Sequence, residues 1–128
     1  MEYGYELIVV DDDELEHQVL IRLLRNTPHR IKCFEHPDEA LSFLTSYQPR
    51  NLFVDYRMHS TDGLTFIRKL ASVIDLDNIN VFLTSSVQIT EDVQVKAREL
   101  GVQFLLKDVF TTKGYLENMF AEKVCVEK

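Results

Sequence analysis

Five short apolar runs, separated by segments of helical periodicity, constrain the fold of this chain more than any other feature. Apolar and polar residues do not alternate within the runs, which is typical of strands covered on both faces. The intervening segments carry apolar residues every three or four positions, as amphipathic helices do. This pattern predicts a (βα)5 chain whose right-handed crossovers place helices on both faces of one parallel sheet. The runs lie at residues 7–10, 31–34, 52–54, 79–83 and 102–106.

Residues with known roles at helix ends mark where the predicted helices begin and stop. Asp13 can cap the first helix, and Pro37 suits the first turn of the second. The third helix follows Gly63, and a fourth runs from Thr90 to a stop at Gly101. The last predicted helix carries Leu116, Met119 and Phe120. Each apolar run is therefore followed by a predicted helix, as the (βα)5 pattern requires.

Size and charge limit the classes of function that suit the chain. The 128 residues, 45% of them hydrophobic, predict one domain spanning residues 1–128. The formal net charge of -7 argues against direct binding of nucleic acid. No apolar run approaches the roughly 20 residues of a membrane span, so we expect no membrane partner. Two widely separated cysteines and the lack of an export signal favour the cytoplasm.

Polar residues follow all five predicted strands, at the strand ends where ligands bind in α/β sheets. Asp11 and Asp12 follow the first run and Asp55 follows the third. Thr84 follows the fourth run, and Lys107 follows the fifth. The second run ends in a Glu-His pair, and we expect it to lie at the sheet edge. The other four strand ends should meet at one rim.

Three carboxylates at one rim cannot all stay ionised in a dry cavity unless a cation neutralises them. Oxygen ligands with room for water describe Mg²⁺. The Thr84 hydroxyl and the Lys107 ammonium suit an anion beside that metal. The residues therefore predict a site for a phosphoryl group and Mg²⁺.

Four motifs at strand ends give the chain a family resemblance. "VVDD", "VDYRMHSTDG", "FLTSS" and "FLLKD" resemble, in order and spacing, the receiver domains of two-component response regulators, including the chemotaxis regulators. The resemblance covers nearly the whole chain. It implies a flavodoxin-like doubly wound sheet with strand order 2-1-3-4-5, and a phosphorelay protein whose only catalysis is slow self-dephosphorylation.

The resemblance also implies how the acidic residues divide the chemistry. Asp55 would accept the phosphoryl group of a histidine kinase or phosphotransfer protein. Asp12 would bind Mg²⁺ directly, and Asp11 mostly through water. Asp55 and the backbone carbonyl of Arg57 would complete the protein ligands of the metal.

The remaining implied roles concern the phosphorylated state. Thr84 would donate a hydrogen bond to the phosphoryl group, and Lys107 would pair with it. Phe104 occupies the position of a switch aromatic that turns inward after phosphorylation. The change would reach an unknown output partner through the surface of helix four, strand five and helix five, which also serves dimerisation in the family.

Two residues depart from the family pattern. His59 follows Met58 where a proline is usual, and Asp108 replaces the proline that usually follows Lys107 by a cis bond. A cis bond before a residue other than proline costs about 3 to 4 kcal/mol. We therefore expect a trans bond and an altered loop, in which Asp108 competes for the Lys107 ammonium.

Several residues have simpler interpretations. Asp13 and Glu14 are expected to cap a helix or face solvent. The four histidines lack metal-ligand spacing, and we expect surface or loop positions for them. Cys33 is predicted to be a buried small hydrophobe and Cys125 a tail residue. Core packing accounts for Phe104 as well as a switch does.

Three other functions remain open from the sequence. A haloacid dehalogenase-like phosphatase would use Asp11 as nucleophile in an Asp-x-Asp pair with Asp13, but would leave Asp55 unexplained. A receiver-like module that never accepts phosphate agrees with the departures at His59 and Asp108. A flavodoxin-like cofactor binder is weaker, because no Gly-rich or Ser/Thr-rich phosphate loop follows the first strand.

Overall fold

A computed structural model describes residues 5–126, with side chains described for residues 5–120. Strands and helices alternate along this range. The strands are β1 (Leu7–Val10), β2 (Ile31–Phe34), β3 (Asn51–Asp55), β4 (Asn80–Ser85) and β5 (Gln103–Leu106). The α-helices are α1 (Glu14–Leu23), α2 (Pro37–Leu44), α3 (Gly63–Ala71), α4 (Glu91–Glu99) and α5 (Tyr115–Val126). Two 3-10 helices cover Leu76–Asn78 and Lys107–Thr111.

All strand pairs are parallel, and the sheet has the order β2-β1-β3-β4-β5. The predicted fold class and strand order are therefore confirmed, and β2 lies at an edge as expected. The central strands β1 and β3 are buried along their whole length, whereas β2 is half-buried. Within residues 5–126, every helix falls short of the length and apolar content that a bilayer crossing needs.

Helices cover both faces of the sheet, which explains why the strands do not alternate apolar with polar residues. Leu7 and Val9 of β1 belong to a cluster that includes residues of α1 and α5. Ile8 and Val10 belong to a second cluster, which includes residues of α2, α3 and α4. Because side chains along a strand point alternately to opposite faces, both halves of β1 need apolar residues.

The predicted helix signals act where the sequence places them. The Asp13 carboxylate accepts a hydrogen bond from the Leu15 backbone N–H at 3.0 Å. Pro37 is the first residue of α2, and the Thr90 hydroxyl accepts from Val93 N–H at 3.4 Å at the start of α4. Gly101 ends the segment after α4 with φ of 77°, a conformation that favours glycine.

The placement of one histidine side chain differs from expectation. His17 lies in α1 and is only 4% exposed, so the surface or loop position predicted for it is wrong. Its Nε2 atom is buried and has no hydrogen-bond partner among the residues that the structure describes. Cys125 lies near the end of α5, and its side chain lies outside the described residues. Cys33 is half-buried in β2 and packs against the α1 and α5 cluster.

Gly63, the first residue of α3, allows a close backbone approach to β3. A Cβ atom at this position would lie 2.6 Å from the Asp55 carbonyl oxygen and 2.7 Å from Leu83 Cδ1. The Gly63 N–H donates to the Tyr56 carbonyl at 2.8 Å, which fixes the helix start against the strand end. The sequence predicts a helix start after this glycine, but it does not reveal the close contact with β3, which depends on how the loop folds.

Replacing Gly63 with Ala should destabilise the protein, although Ala is the better helix former by about 1 kcal/mol. The added methyl group would overlap a backbone oxygen that cannot rotate away. We expect a loss of about 1 to 3 kcal/mol in the free energy of unfolding, measured in urea. Ser42→Ala, an exposed change within α2, is the matched control and should be near neutral. A Gly63→Ala variant more stable than wild type would contradict the close contact.

Candidate functional site

The sheet brings the predicted polar residues together at its C-terminal rim. Asp11 and Asp12 follow β1, and Asp55 is the last residue of β3. Thr84 on β4 is in register with Asp55 and is buried. Lys107 follows β5 directly. The strand order places the ends of β1, β3, β4 and β5 side by side, which is why residues far apart in sequence share one site.

The Lys107 ammonium lies between two carboxylates. Its Nζ atom is 2.7 Å from Asp11 Oδ2 and 3.0 Å from Asp55 Oδ1, and its side chain is only 9% exposed. Burial by itself lowers the pKa of Lys107, but the hydrogen bond and charge of Asp11, and then those of Asp55, raise it above the ordinary value. Lys107 therefore stays protonated and links three strand ends.

Asp55 is poorly compensated despite this contact. Burial, and then the negative charge of Asp11, raises the pKa of Asp55 to about 6, although Lys107 opposes the shift. Asp55 still loses its proton below neutral pH. The carboxylate is thus held in a place where negative charge is in excess.

The three carboxylates have the geometry of a cation site. Asp11, Asp12 and Asp55 each offer a ligand oxygen, and these atoms lie within 4.8 Å of one another. One ammonium cannot neutralise three carboxylates, and an all-oxygen donor set favours a hard cation such as Mg²⁺. The residues present therefore fit the metal that the sequence predicts.

Asp12 has partners that the sequence did not indicate. Its Oδ2 atom accepts a hydrogen bond from the His59 backbone N–H at 2.7 Å and lies 2.6 Å from His59 Nδ1. His59 was singled out only as a departure from the family pattern. Its contact with Asp12 depends on how the loop between β3 and α3 folds back, which residue spacing does not reveal.

The other predicted site residues occupy the loops and strands around the acids. Arg57 is exposed and pairs with Asp62 in an isolated antiparallel bridge, so its role as a carbonyl ligand stays a prediction. Phe104 on β5 is half-buried and packs against the cluster of α2, α3 and α4. It is in register with Leu83, the residue before Thr84.

Asp108 does not occupy the place expected for it. The peptide bonds of the described residues include no cis bond, which confirms the trans Lys107-Asp108 bond. A 3-10 helix begins at Lys107, and the alteration of this loop relative to the family pattern stays a prediction. Asp108 is exposed, and the ion pairs of Lys107 are with Asp11 and Asp55 instead. The expected competition of Asp108 for the ammonium is therefore wrong in this structure.

Comparison with known sequences gives a consistent result. Residues 7–117 match the family model of the response regulator receiver domain. The chain is 29% identical over 109 residues to the cyclic di-GMP phosphodiesterase response regulator RpfG of Xanthomonas campestris, covering 83% of this chain and 29% of that protein. It is 27% identical over 104 residues to the two-component response regulator ORR7 of Oryza sativa, covering 80% and 50% respectively. The matched region thus spans half or less of the length of these two relatives.

Solved structures give the same fold. The receiver domain of the histidine kinase CKI1 from Arabidopsis thaliana, complexed with Mg²⁺, superposes with a TM-score of 0.74 at 19% identity, covering 94% of this chain and 92% of that chain. The receiver domain of nitrogen regulatory protein C, activated by BeF3, gives a TM-score of 0.67 at 30% identity, with 84% of each chain covered.

The raised pKa of Asp55 predicts how Asp55→Asn changes stability with pH. From the ordinary 3.8 to about 6, the folded state keeps a proton that the unfolded chain has lost, so wild-type stability falls as pH rises through this window. The variant lacks this loss. We expect it to be about 1 to 3 kcal/mol more stable than wild type near pH 7.5, with the difference shrinking toward about pH 4.

Urea unfolding without divalent cations measures this difference. Asp108→Asn, which removes an exposed carboxylate next in sequence to the same lysine, is the matched control. An Asp55→Asn variant less stable than wild type at neutral pH would contradict the excess of negative charge at the site.

Proposed function

Because this chain belongs to the response regulator receiver domain family, we propose that it accepts a phosphoryl group on Asp55 from a histidine kinase or phosphotransfer protein. One observation carries the proposal: the buried Asp55 carboxylate ends a central strand, 3.0 Å from the Lys107 ammonium and clustered with two further acids. We also propose that residues 1–128 form a single receiver domain.

The side chain of Asp55 suits nucleophilic attack on a phosphohistidine. With a pKa raised to about 6, Asp55 is mostly ionised at neutral pH and more basic than an ordinary carboxylate. One carboxylate oxygen would form a bond to phosphorus as the bond from phosphorus to the histidine nitrogen breaks. The imidazole leaves with the electron pair of that bond and takes a proton from solvent, so the transfer is balanced.

Lys107 and Thr84 would hold the transferred group. The ammonium already lies beside an Asp55 oxygen, so it can pair with a phosphoryl oxygen attached there. Thr84, in register with Asp55 on the neighbouring strand, carries a hydroxyl that can donate to the same group. Phosphoryl transfer depends mostly on positioning and on neutralising charge, and these residues provide both.

Asp11, Asp12, Asp55 and the backbone carbonyl of Arg57 would hold Mg²⁺. When bound, the metal would neutralise the excess carboxylate charge and draw electron density from the phosphoryl oxygens. The clustered carboxylate oxygens and the raised pKa of Asp55 support this assignment. Asp13 is exposed and caps α1, which leaves Asp12 as the second acid of the site.

The proposed output is a change of partner. Movement of Thr84 toward the phosphoryl group would leave space that Phe104 can fill, because Phe104 is half-buried next to Leu83. That movement would alter the surface of α4, β5 and α5, where an output partner or a second copy of the chain would bind. With a net charge of -7, we propose no direct contact with nucleic acid.

A signalling role without catalytic turnover agrees with the family. The relatives named for phosphodiesterase activity or response regulation extend well beyond the matched region, so their activities are not assigned to this chain. We propose at most slow self-dephosphorylation.

Cys33 is a free thiol whose pKa is raised to about 11 by burial and then by Asp11, so it is no nucleophile at neutral pH. A free thiol favours the cytoplasm.

The site of phosphorylation is tested with acetyl phosphate and Mg²⁺, followed by intact-mass measurement. Wild type should gain one phosphoryl group, Asp55→Asn should gain none, and chelation of Mg²⁺ should prevent the gain. Asp108→Asn is the matched control and should be labelled like wild type, because Asp108 is exposed and makes no ion pair with Lys107 in this structure.

Two outcomes would overturn the assignment. The phosphatase alternative, which family membership already opposes, requires an adduct on Asp11 that persists in Asp55→Asn. The alternative of a receiver-like module that never accepts phosphate requires no mass gain in wild type, while the chain stays folded.

The proposed switch predicts that Thr84→Ala separates phosphoryl binding from the response of Phe104. Beryllofluoride, a mimic of the acyl phosphate, should shift the ring resonances of Phe104 in wild type. In Thr84→Ala the mimic should still bind through Asp55 and Lys107, but most of the Phe104 shift should be lost. Thr45→Ala, an exposed change after α2, is the control. An undiminished Phe104 shift in Thr84→Ala would contradict the coupling.

A further inference from the structure

The three clustered carboxylates do not share the same partners. Among the described residues, the Lys107 ammonium forms ion pairs with Asp11 and Asp55 but not with Asp12. Asp12 instead contacts His59 through two atoms of that residue. Among the described residues, His59 is thus the residue that supports the third acid of the cluster.

Both contacts converge on one oxygen. The backbone N–H and Nδ1 of His59 lie 2.7 Å and 2.6 Å from Asp12 Oδ2. An ionised carboxylate only accepts hydrogen bonds, so Nδ1 carries the proton in this contact. Two donors restrain the position of Oδ2, and the contacts of Asp12 with the described residues do not involve Oδ1.

The loop that carries His59 is anchored at its base. Arg57 pairs with Asp62 in an antiparallel bridge, and the Gly63 N–H donates to the Tyr56 carbonyl at 2.8 Å. These bonds join the two ends of the loop between β3 and α3, which carries His59. The orientation of Asp12 therefore depends on the loop that directly follows Asp55.

We propose that His59 is a positioning residue that holds the Asp12 carboxylate for a divalent cation at the site of Asp11, Asp12 and Asp55. The inference rests on the proposed function, because it assumes that these acids bind Mg²⁺. Donors that orient a ligating carboxylate strengthen metal binding by reducing the freedom lost when the metal binds. The opposite role, in which His59 competes with the metal for Asp12, predicts tighter binding when the imidazole is removed.

The test is Mg²⁺ affinity, measured by calorimetric titration of the full chain without a phosphoryl donor. His59→Ala keeps the backbone donor and removes Nδ1. We expect it to weaken Mg²⁺ binding about 10-fold, the lower end of the effects reported for residues that support metal ligands, because the His59 side chain is 96% exposed. His59→Asn places an amide N–H near the position of Nδ1 and should restore most of the affinity.

His36→Ala is the matched control, since His36 is exposed and its side chain makes no capping hydrogen bond. Its Mg²⁺ affinity should equal that of wild type. Unchanged or tighter binding in His59→Ala would overturn the inference, as would a His59→Asn variant no better than His59→Ala.

The test also separates this inference from the proposed function. If wild type binds no Mg²⁺, the magnesium site and the role of His59 fail together. If wild type binds Mg²⁺ and is phosphorylated on Asp55, while His59→Ala binds like wild type, only the role of His59 fails.

Discussion

The contact of the Lys107 ammonium with Asp11 and Asp55 is the interaction on which the site depends. These residues follow β5, β1 and β3, and Asp11 and Lys107 are 96 positions apart in the sequence. The lysine can reach both acids only because the sheet places β4 alone between β5 and β3, and β3 beside β1. The charged contacts at the rim therefore depend on the strand order of the sheet.

This arrangement carries a cost that also defines what the site can do. Three carboxylates against one ammonium leave two negative charges at a largely buried position, and the raised pKa of Asp55 reflects this excess. A buried, unbalanced charge lowers stability unless a ligand compensates it. A divalent cation would supply the missing positive charge. Under the proposed function, the same cation would also favour the approach of an anionic phosphoryl group to Asp55, so metal binding and phosphoryl transfer would both depend on this excess of negative charge.

The sequence predicted much of the fold, for identifiable physical reasons. The first two apolar runs match β1 and β2 at both ends. The apolar run at β3 is too short, because Asn51 and Asp55 are polar but buried within the sheet. The run at β4 ends too early for the same reason, because Thr84 and Ser85 are buried as well. Hydropathy cannot recognise such residues. Asn51 lies inside because its amide donates to Glu6 Oε2 at 3.0 Å and its carbonyl accepts from Asn80 at 3.2 Å.

The candidate site could likewise be predicted from the sequence only in part. Asp11, Asp12, Asp55, Thr84 and Lys107 could be predicted because parallel strands end at one rim, and the structure brings them there. The burial of His17 and the contact of His59 with Asp12 could not be predicted. The first depends on how α1 packs, and the second on the path of a loop, and neither leaves a periodic signal.

The two departures from the family pattern act on the loops that border the rim. Proline has no backbone N–H, so the donor from residue 59 to Asp12 exists only because this residue is not proline. His59 thus replaces the fixed backbone angle of a proline with a hydrogen-bonded link to an acid of the site. Asp108 permits a trans bond and a 3-10 helix directly after Lys107, while the ammonium keeps its contacts with Asp11 and Asp55. Both substitutions therefore change how the site is supported and leave its charged groups in place. Under the proposed function, the rate at which this chain gains and loses a phosphoryl group should depend on these two loops, because the charged residues at the rim are those that the resemblance implies.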